Sequence, residues 1–291
     1  RAATERRRRM SIDLDAYREQ SRETWAQMAL GWEHRREWLM GLTGRVNDWL
    51  VDKADPQPGQ TILDIAAGTG DLGFNVAERV GADGRVISTD FAPEMVDLAR
   101  RLGEARGLTN VEHRVLDAEL MDLDDDTVDG VVSRWGYMLM ADPAAALKET
   151  RRVLRGGGPL AFAVWTTPDR NPWAAVPGMT LVQRGHMPPP EPGAPGMFAM
   201  GERGRIRELV AGAGFGEPYL EEIAFEFRYA DFDDLWDALV SLAGQLARVV
   251  NALSEDEREA TRAAIMQNVA PYRNEDGSYI APAATWGVLV R

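Results

Sequence analysis

The stretch that decides the fold is Thr61-Ile-Leu-Asp-Ile-Ala-Ala-Gly-Thr-Gly-Asp-Leu-Gly73. Segment 61–65 is rich in isoleucine and leucine, which predicts a short buried strand. Gly68 and Gly70 then allow a tight turn and a close approach of a ligand to the backbone, because glycine carries no Cβ. A helix that starts after this turn offers free N–H groups to the same ligand. The stretch therefore predicts a nucleotide-type site, with the carboxylate of Asp64 pointing into the crevice.

Outward from this stretch, the sequence alternates between strand and helix patterns, which is typical of a mostly parallel α/β sheet. The predicted strands are 61–65, 86–89, 111–116, 128–132, 160–165, 219–228 and 286–290. The predicted helices lie within 11–50 and at 71–81, 93–106, 143–154 and 202–212, and two more lie within 232–270, with Ser254 and Glu257 as a capping box.

The amino-acid composition limits the classes of protein and the kinds of site that this chain can represent. The net charge of −13 argues against a general nucleic-acid binder, which would carry a basic stripe. No apolar run reaches the length of a membrane span, and no apolar segment follows the arginines Arg6–Arg9, so we expect neither a membrane span nor a secretory signal. The absence of cysteine excludes disulfides and thiolate metal sites and fits a cytoplasmic protein. We predict no metal site.

The chain divides into two predicted parts. Residues 1–44 form an arm and a helical lid, and residues 45–291 form the main domain. Insertions at about 166–200, which is rich in proline, and 231–270 are expected to cap a substrate. The amphipathic helices of the second insertion suit either this cap or a contact between the subunits of a homodimer.

The glycine turn fits two cofactors. Gly68, Gly70 and Gly73 satisfy the pattern G-x-G-x-x-G, and Asp90 follows at the end of the second strand. This is the dinucleotide fingerprint, so an NAD(P)-dependent oxidoreductase is one candidate. However, Asp64 would repel a pyrophosphate and attract a cationic amino-acid tail. Asp117, after the third strand, is placed to accept a hydrogen bond from an adenine amino group.

These motifs resemble the class I S-adenosylmethionine (SAM) methyltransferases, most of all the branch of the ubiquinone/menaquinone C-methyltransferases and related small-molecule enzymes. The matching segments are Leu63–Asp71, Ser88–Met95, Asp117–Glu119, Asp129–Met138 and Glu149–Gly158. The resemblance implies a Rossmann-like, seven-stranded, mostly parallel sheet with helices on both faces, together with helical lid segments at the N-terminus and in the insertions. It also implies SAM as the cofactor and S-adenosylhomocysteine as its product.

The resemblance assigns cofactor roles by position. Asp64 would lie near the methionine end of SAM, Asp90 would bind the ribose hydroxyls, and Asp117 would accept from the adenine. Arg134 and Trp135 would lie beside the methionine portion and the transferred methyl. The full set of implied cofactor residues is Asp64, Ala66, Gly68, Thr69, Gly70, Asp90, Phe91, Met95, Asp117, Ala118, Glu119, Arg134 and Trp135. The family often carries glycine where this chain has Ala66.

The acceptor is expected to be a small, flat or apolar molecule, because aromatic residues precede the first strand and follow the fourth and fifth strands. The predicted pocket residues are Tyr17, Trp25, Trp32, Tyr137, Trp165 and Trp173. SAM already carries an activated methyl, so the protein mainly aligns the reactants, and His186 is the candidate for an assisting base. A SAM-binding protein that transfers no methyl is the third hypothesis.

Overall fold

The computed structural model describes residues 13–191 and 193–291, so the arginine run Arg6–Arg9 lies outside the described residues. The strands are β1 (Thr61–Ile65), β2 (Arg85–Asp90), β3 (Val111–Val115), β4 (Gly130–Arg134), β5 (Leu160–Trp165), β6 (Tyr219–Tyr229) and β7 (Tyr279–Val290). The helices are α1 (Leu14–Ala54), α2 (Asp71–Val80), α3 (Pro93–Ala105), α4 (Pro143–Val153), α5 (Pro172–Gln183), α6 (Arg203–Gly212), α7 (Phe232–Leu242), α8 (Gln245–Asn251) and α9 (Glu255–Asn268). Short 3₁₀ turns lie at Tyr137–Leu139, Pro168–Arg170 and Ala270–Tyr272.

The seven strands form one sheet in the order β3-β2-β1-β4-β5-β7-β6. The first five strands of this order run parallel, and β7 is antiparallel to both β5 and β6. All six residues of β5 are buried, as expected for a central strand covered on both sides. The predicted α/β architecture with a seven-stranded, mostly parallel sheet is confirmed.

Helix α1 is a single element of 41 residues. The side chain of Asp13 caps its start by accepting hydrogen bonds from the N–H groups of Asp15 and Ala16. Near its end, Val46 and Leu50 are fully buried in the main core. The helix runs without interruption through the predicted boundary between residues 44 and 45, so one element spans both the predicted lid and the predicted main domain.

Several elements differ from the sequence prediction. The proline-rich insertion contains helix α5, which the sequence pattern misses because Pro172 and Pro177 resemble helix breakers. Pro172 stands in the first turn, where no backbone donor is needed, whereas Pro177 lies inside the helix. The segment 232–270 holds three helices instead of two, because Gly244, with φ of 50°, separates α7 from α8. In the part of the chain that is described, no helix has both the length and the hydropathy required to cross a membrane.

Candidate cofactor and acceptor site

The candidate site lies where the chain reverses its direction of travel across the sheet. Strand β1 has β2 on one side and β4 on the other, so the ends of β1 and β4 border a topological switch point, where open α/β sheets bind ligands. Ala66 and Trp135, which directly follow these strands, both have left-handed backbones, with φ of 55° and 60°. Such conformations are costly for residues other than glycine and concentrate at functional sites. A positive φ costs glycine little, which fits the glycine that the resemblance leads one to expect at position 66.

One cavity of about 810 Å³ opens at this point. It is bordered by two groups of side chains, which we name the carboxylate end and the aromatic end. The carboxylate end consists of Asp64, Asp90, Asp117 and Glu119. The aromatic end consists of Trp38, Trp135, Trp165, Trp173, Phe227 and Tyr229. The volume is within the range of small-molecule sites.

The glycine turn shapes the floor of the carboxylate end. A Cβ placed on Gly68 would meet no atom within 4 Å, so the backbone there is open to a ligand. A Cβ on Gly70 would lie 2.6 Å from the ring of Phe74, which requires glycine for packing. The hydroxyl of Thr69 donates to Asp71 at 2.7 Å. Of the predicted cofactor residues, Thr69 and Gly70 are the two that do not border the cavity, and they act on the shape of the turn.

Asp90 connects the end of β2 to the glycine turn. Its Oδ2 accepts a hydrogen bond from the N–H of Gly68 at 3.1 Å, and its Oδ1 accepts one from the N–H of Ala92 at 3.0 Å. Burial raises the pKa of Asp90 to about 6, and the backbone N–H donors oppose this rise. The carboxylate is thus fixed in place beside the cavity while ionised at neutral pH.

Asp64 is placed differently from the sequence expectation. The residue borders the cavity, but it is 0 % exposed and its two oxygens are covered and have no hydrogen-bond partner among the described residues. A Cβ on Gly73 would lie 2.8 Å from its Oδ2, so the carboxyl group lies beneath the first turn of α2. Burial raises its pKa to about 8, and the charge of Arg134 opposes this rise. Asp64 is therefore largely protonated at neutral pH and does not project into the crevice.

The start of α1 covers the region around Glu119. The guanidinium of Arg18 donates to Glu119 Oε2 from Nε at 3.0 Å and from Nη2 at 2.5 Å. The hydroxyl of Tyr17 donates to the carbonyl of Leu139 at 3.0 Å, and burial raises its pKa to about 12. Phe91, Met95, Asp117 and Ala118 border the same region of the cavity, and their roles toward a cofactor stay predictions. Glu119 itself is engaged by Arg18.

A second group of charges lies at the ends of β1 and β4. Asp71 accepts from Arg36 Nε at 2.9 Å and from Arg106 Nη2 at 3.3 Å. Arg134 borders the cavity and donates from Nη1 to Asn47 Oδ1 at 2.9 Å. Two arginines thus share one aspartate, while Arg134 has a neutral amide as its partner.

The aromatic end is a continuous set of contacting rings. Trp135 stacks on Trp165, with ring centres 4.3 Å apart, and Trp165 contacts Trp173 at 5.0 Å. Trp173 contacts Phe227 at 4.6 Å, and Trp38 completes the set by contacting both Phe227 and Tyr229. Tyr17, Trp25 and Trp32 also border the cavity, and the last two pack edge to face at 5.8 Å. This surface suits a flat, apolar molecule.

Sequence reasoning missed Trp38, Phe227 and Tyr229. The two β6 residues lie two positions apart on a strand that the sequence did predict, so their alternation was a usable signal for a shared face. Trp38 follows Trp32 on the predicted N-terminal helix and gave no separate signal.

Two further predicted residues, one from the acceptor pocket and one candidate base, also lie outside the cavity. Tyr137 is fully buried, and its hydroxyl forms a 2.7 Å hydrogen bond with Thr150 Oγ1, so its ring belongs to the core beside α4. Its neighbours Gly136 and Met138 border the cavity instead. His186 donates its backbone N–H to Leu181, and its Nε2 is covered without a partner. No histidine in the described part of the chain borders the cavity, so the geometry gives no support to His186 as a base.

Comparisons with known proteins agree with the resemblance. Residues 43–172 match the model of the ubiE/COQ5 methyltransferase family. The demethylmenaquinone methyltransferase of Thermus thermophilus is 40% identical over 129 residues, which are 43% of this chain and 56% of that protein. The aklanonic acid methyltransferase of a Streptomyces species is 36% identical over 113 residues, which are 39% of this chain and 51% of that protein. The chain thus spans about half the length of these relatives, and the predicted family resemblance is confirmed over that segment.

The fold is shared with solved structures. A candidate methyltransferase from Bacillus halodurans superposes with a TM-score of 0.58 at 19% identity, covering 84% of this chain and 97% of that one. The likeness extends over most of the chain, whereas the sequence similarity is concentrated on β1 to β5 and their loops. The family match ends at residue 172, so most of the insertion at 166–200 and all of the insertion at 231–270 lie outside it.

Proposed function

We propose that this chain transfers a methyl group from SAM to a small, flat, largely apolar acceptor. The observation that carries this proposal is a single cavity that joins the carboxylate end, beside the glycine turn, to the aromatic end. A donor and an acceptor bound at the two ends would meet near the ends of β1 and β4. The family match and the two methyltransferase relatives support the same reaction class.

The residues of the carboxylate end suit an adenosyl group. Asp90 is fixed by two backbone N–H groups, and a carboxylate in this position can accept from both ribose hydroxyls. The open backbone at Gly68 leaves room for the sugar. Phe91 and Met95 offer apolar contact to the base, while Asp117 offers a carboxylate for its amino group.

Methyl transfer from SAM requires mainly that the protein align the donor and the acceptor. When bound, SAM would supply a methyl carbon on a sulfonium, which a nucleophile can attack in line while the carbon–sulfur bond breaks and its electron pair returns to the departing sulfur. The protein contributes the position of both partners and the exclusion of water. Tyr17 and Arg18 cover the carboxylate end, and the indole rings exclude water from the aromatic end. Since no histidine borders the described cavity, we propose that positioning, without a histidine base, produces the rate enhancement.

The acceptor class follows from the aromatic end. The indole N–H groups of Trp38, Trp135 and Trp173 are already bonded to protein oxygens, so these rings present apolar faces. The relatives named above act on demethylmenaquinone and aklanonic acid, and we propose an acceptor of similar flat, aromatic character. The enclosed cavity and the net charge of −13 do not suit a nucleic acid. The cytoplasmic location and the homodimer stay predictions.

Two tests separate the proposal from its competitors. Calorimetry should show binding of S-adenosylhomocysteine and no binding of NAD, and tight binding of NAD alone would identify an oxidoreductase. Incubation with methyl-labelled SAM and a panel of naphthoquinones, aromatic polyketides and plant phenols should yield a labelled product and an equal amount of S-adenosylhomocysteine. If the chain binds S-adenosylhomocysteine and converts an acceptor into a product that carries no label, the third hypothesis is favoured, a SAM-binding protein that transfers no methyl. Asp90→Ala serves as the inactive control in both tests.

A further inference from the structure

Asn171 is a buried asparagine beside the aromatic end. The residue is 0% exposed and is not among the described residues that border the cavity. Its Oδ1 accepts a hydrogen bond from the backbone N–H of Ala284 at 3.0 Å. Its Nδ2 donates to the carbonyl of Ala284 at 3.0 Å and to Thr166 Oγ1 at 2.9 Å. The amide group thus pairs with the N–H and the carbonyl of one β7 residue, as a residue of a neighbouring strand would.

The same side chain contacts Trp173 instead of capping its own helix. Asn171 stands at the N-cap position of α5, where an asparagine usually accepts from the first N–H groups of the helix. Here its side chain accepts from none of those N–H groups. The second hydrogen bond to its Oδ1 comes from the indole N–H of Trp173 at 3.3 Å. Asn171 therefore ties the ring of Trp173 to β7.

Strand β7 also holds the other outer indole of the aromatic end. Trp135 and Trp173 contact Trp165 from two sides, with ring centres at 4.3 and 5.0 Å. The indole N–H of Trp135 donates to Thr285 Oγ1 at 3.1 Å, and Trp165 is paired with Thr285 in the sheet. Asn171 connects Trp173 to Ala284, the residue before Thr285. Two consecutive residues of β7 thus fix the three indoles relative to one another.

We propose that Asn171 is a positioning residue of the acceptor site, which acts through Trp173 to fix the face that a flat acceptor contacts. The acceptor role rests on the proposed function, whereas the placement of Trp173 does not. A buried amide whose hydrogen bonds are all formed holds one geometry, because a shift would leave buried polar groups unpaired. Pro172 is the one residue between Asn171 and Trp173, and its ring fixes φ, so the backbone link between them is stiff.

The placement of Trp173 can be measured without any ligand. The chain has nine tryptophans, and fluorine NMR of the protein labelled with fluorotryptophan gives one signal for each. The Trp173 signal is the one that is missing from Trp173→Phe, and the Trp25 signal is assigned in the same way. Asn171→Ala should shift and broaden the Trp173 signal and leave the signal of Trp25, which lies on α1, unchanged.

The effect on the acceptor is measured with naphthoquinone as a flat probe, through its quenching of tryptophan emission. Asn171→Ala should weaken naphthoquinone binding by roughly 3- to 10-fold, as expected for the loss of one or two net hydrogen bonds. Calorimetry should find the S-adenosylhomocysteine affinity within about twofold of wild type, because the carboxylate end is distant. In the Trp173→Leu background, Asn171→Ala should change naphthoquinone binding by less than about twofold, since the ring through which it acts is absent.

Two further variants separate positioning from a general loss of stability. Thr166→Val keeps the shape of the side chain and removes one partner of Asn171, so it should act in the same direction by roughly twofold. This variant provides the test if Asn171→Ala does not fold. Asn110→Ala is the matched control, because Asn110 Nδ2 donates to the carbonyls of Ala77 and Gly81, both at 2.9 Å, away from the cavity. It should lower stability and leave the Trp173 signal and naphthoquinone binding unchanged.

Three results would overturn the inference. If the Trp173 signal is the same in wild type, Asn171→Ala and Thr166→Val, Asn171 does not place this ring. If Asn171→Ala weakens naphthoquinone binding equally with and without Trp173, the residue acts through another part of the site. If the Trp173 signal moves but the wild-type chain binds no naphthoquinone, the acceptor role fails together with the proposed acceptor class, while the placement of Trp173 by Asn171 stands.

Discussion

The two ends of the cavity are built in different ways. At the carboxylate end, Asp90 and Asp117 lie at or just after the carboxyl ends of neighbouring strands, and backbone N–H groups fix both carboxylates. At the aromatic end, the rings come from α1, the end of β4, β5, α5 and β6, and they hold one another by ring contacts. The first construction depends on local turns and the second on the packing of distant segments. We infer that the residues of the carboxylate end can be retained while those of the aromatic end are replaced.

The largest effect is expected from the substitution Asp90→Ala. It removes the acceptor proposed for two ribose hydroxyls and also frees the N–H groups of Gly68 and Ala92. S-adenosylhomocysteine binding should weaken by roughly 100-fold or more, since each bond to a charged acceptor contributes about 1.5–3 kcal/mol. Calorimetry on the variant and on Asp90→Asn measures this. An unchanged affinity would mean that Asp90 does not bind the ribose and that the ribose is bound elsewhere.

Asp64 makes the stability of the carboxylate end depend on pH. Its pKa rises from 3.8 in the unfolded chain to about 8 in the folded protein, so the folded state binds the proton more tightly. This contribution to stability is complete below about pH 4 and is lost as the pH rises towards 8. Asp64→Asn should therefore be stabilised relative to wild type by roughly 1–3 kcal/mol more at pH 7.5 than at pH 5.

Urea denaturation at the two pH values measures this difference. Asp124→Asn, which changes an exposed aspartate, is the control and should show equal shifts at both pH values. A wild-type stability that does not fall more steeply with pH than that of Asp64→Asn would contradict the burial of an unpaired carboxyl group.

The aromatic end is tested by Trp173→Leu. Trp173 contacts both Trp165 and Phe227, so its loss removes two ring contacts and part of the acceptor surface. The KM of a flat acceptor should rise by about tenfold, since aromatic contacts contribute roughly 0.5–1.5 kcal/mol each. The affinity for S-adenosylhomocysteine should stay within about twofold of wild type, because the two ends are built separately.

Trp49→Leu provides the matched control for this tryptophan. Trp49 lies on α1 against Gly287, outside the cavity, and its replacement should leave the KM unchanged. A fall in cofactor affinity for Trp173→Leu but not for Trp49→Leu would show that the two ends are coupled.

The smallest effect is expected from Arg18→Met. The side chain of Arg18 is 30% exposed and that of Glu119 is 8% exposed, so solvent screens part of their interaction. Binding of S-adenosylhomocysteine and of methylthioadenosine should weaken by about threefold each, because the cover over the carboxylate end is loosened. Stopped-flow measurement should assign the change to faster dissociation. Equal rates in the variant and in wild type would mean that the start of α1 holds no part of the ligand.

The sequence located the strand, the turn and the acidic residues of the carboxylate end because their determinants are local, while their binding roles stay predictions. Strand β1, the glycine turn and Asp90 are each encoded within a few residues, and their order along the chain fixes the switch point. What could not be read is the direction of individual side chains. Asp64 lies beneath α2 instead of facing the crevice, and Tyr137 turns into the core after the left-handed Trp135. A change in the sign of φ at one residue leaves no trace in the pattern of hydrophobic residues.

The aromatic end was predicted only in part, for a related physical reason. Trp165 and Trp173 follow a recognisable strand, but their contact with Phe227 joins residues more than fifty positions apart. The partner residues depend on how β6 pairs with β7 and on how α1 packs against β4, β5, β7 and β6, and neither is a local property. Helix α5, which carries Trp173, was itself concealed by its two prolines.

The length of α1 has a mechanical consequence. Val46 and Leu50 anchor its last turns in the core, while Tyr17 lies roughly 50 Å away along the same unbroken rod, at 1.5 Å per residue. A rotation of about 5° at the anchor would displace the far end by roughly 4 Å at this length. The middle of the helix also borders the cavity through Trp32 and Trp38, so a single rigid element connects the core to both ends of the cavity. Substitution of Val46, which does not itself border the cavity, should therefore be transmitted along the helix to Tyr17 and change how readily small molecules enter and leave.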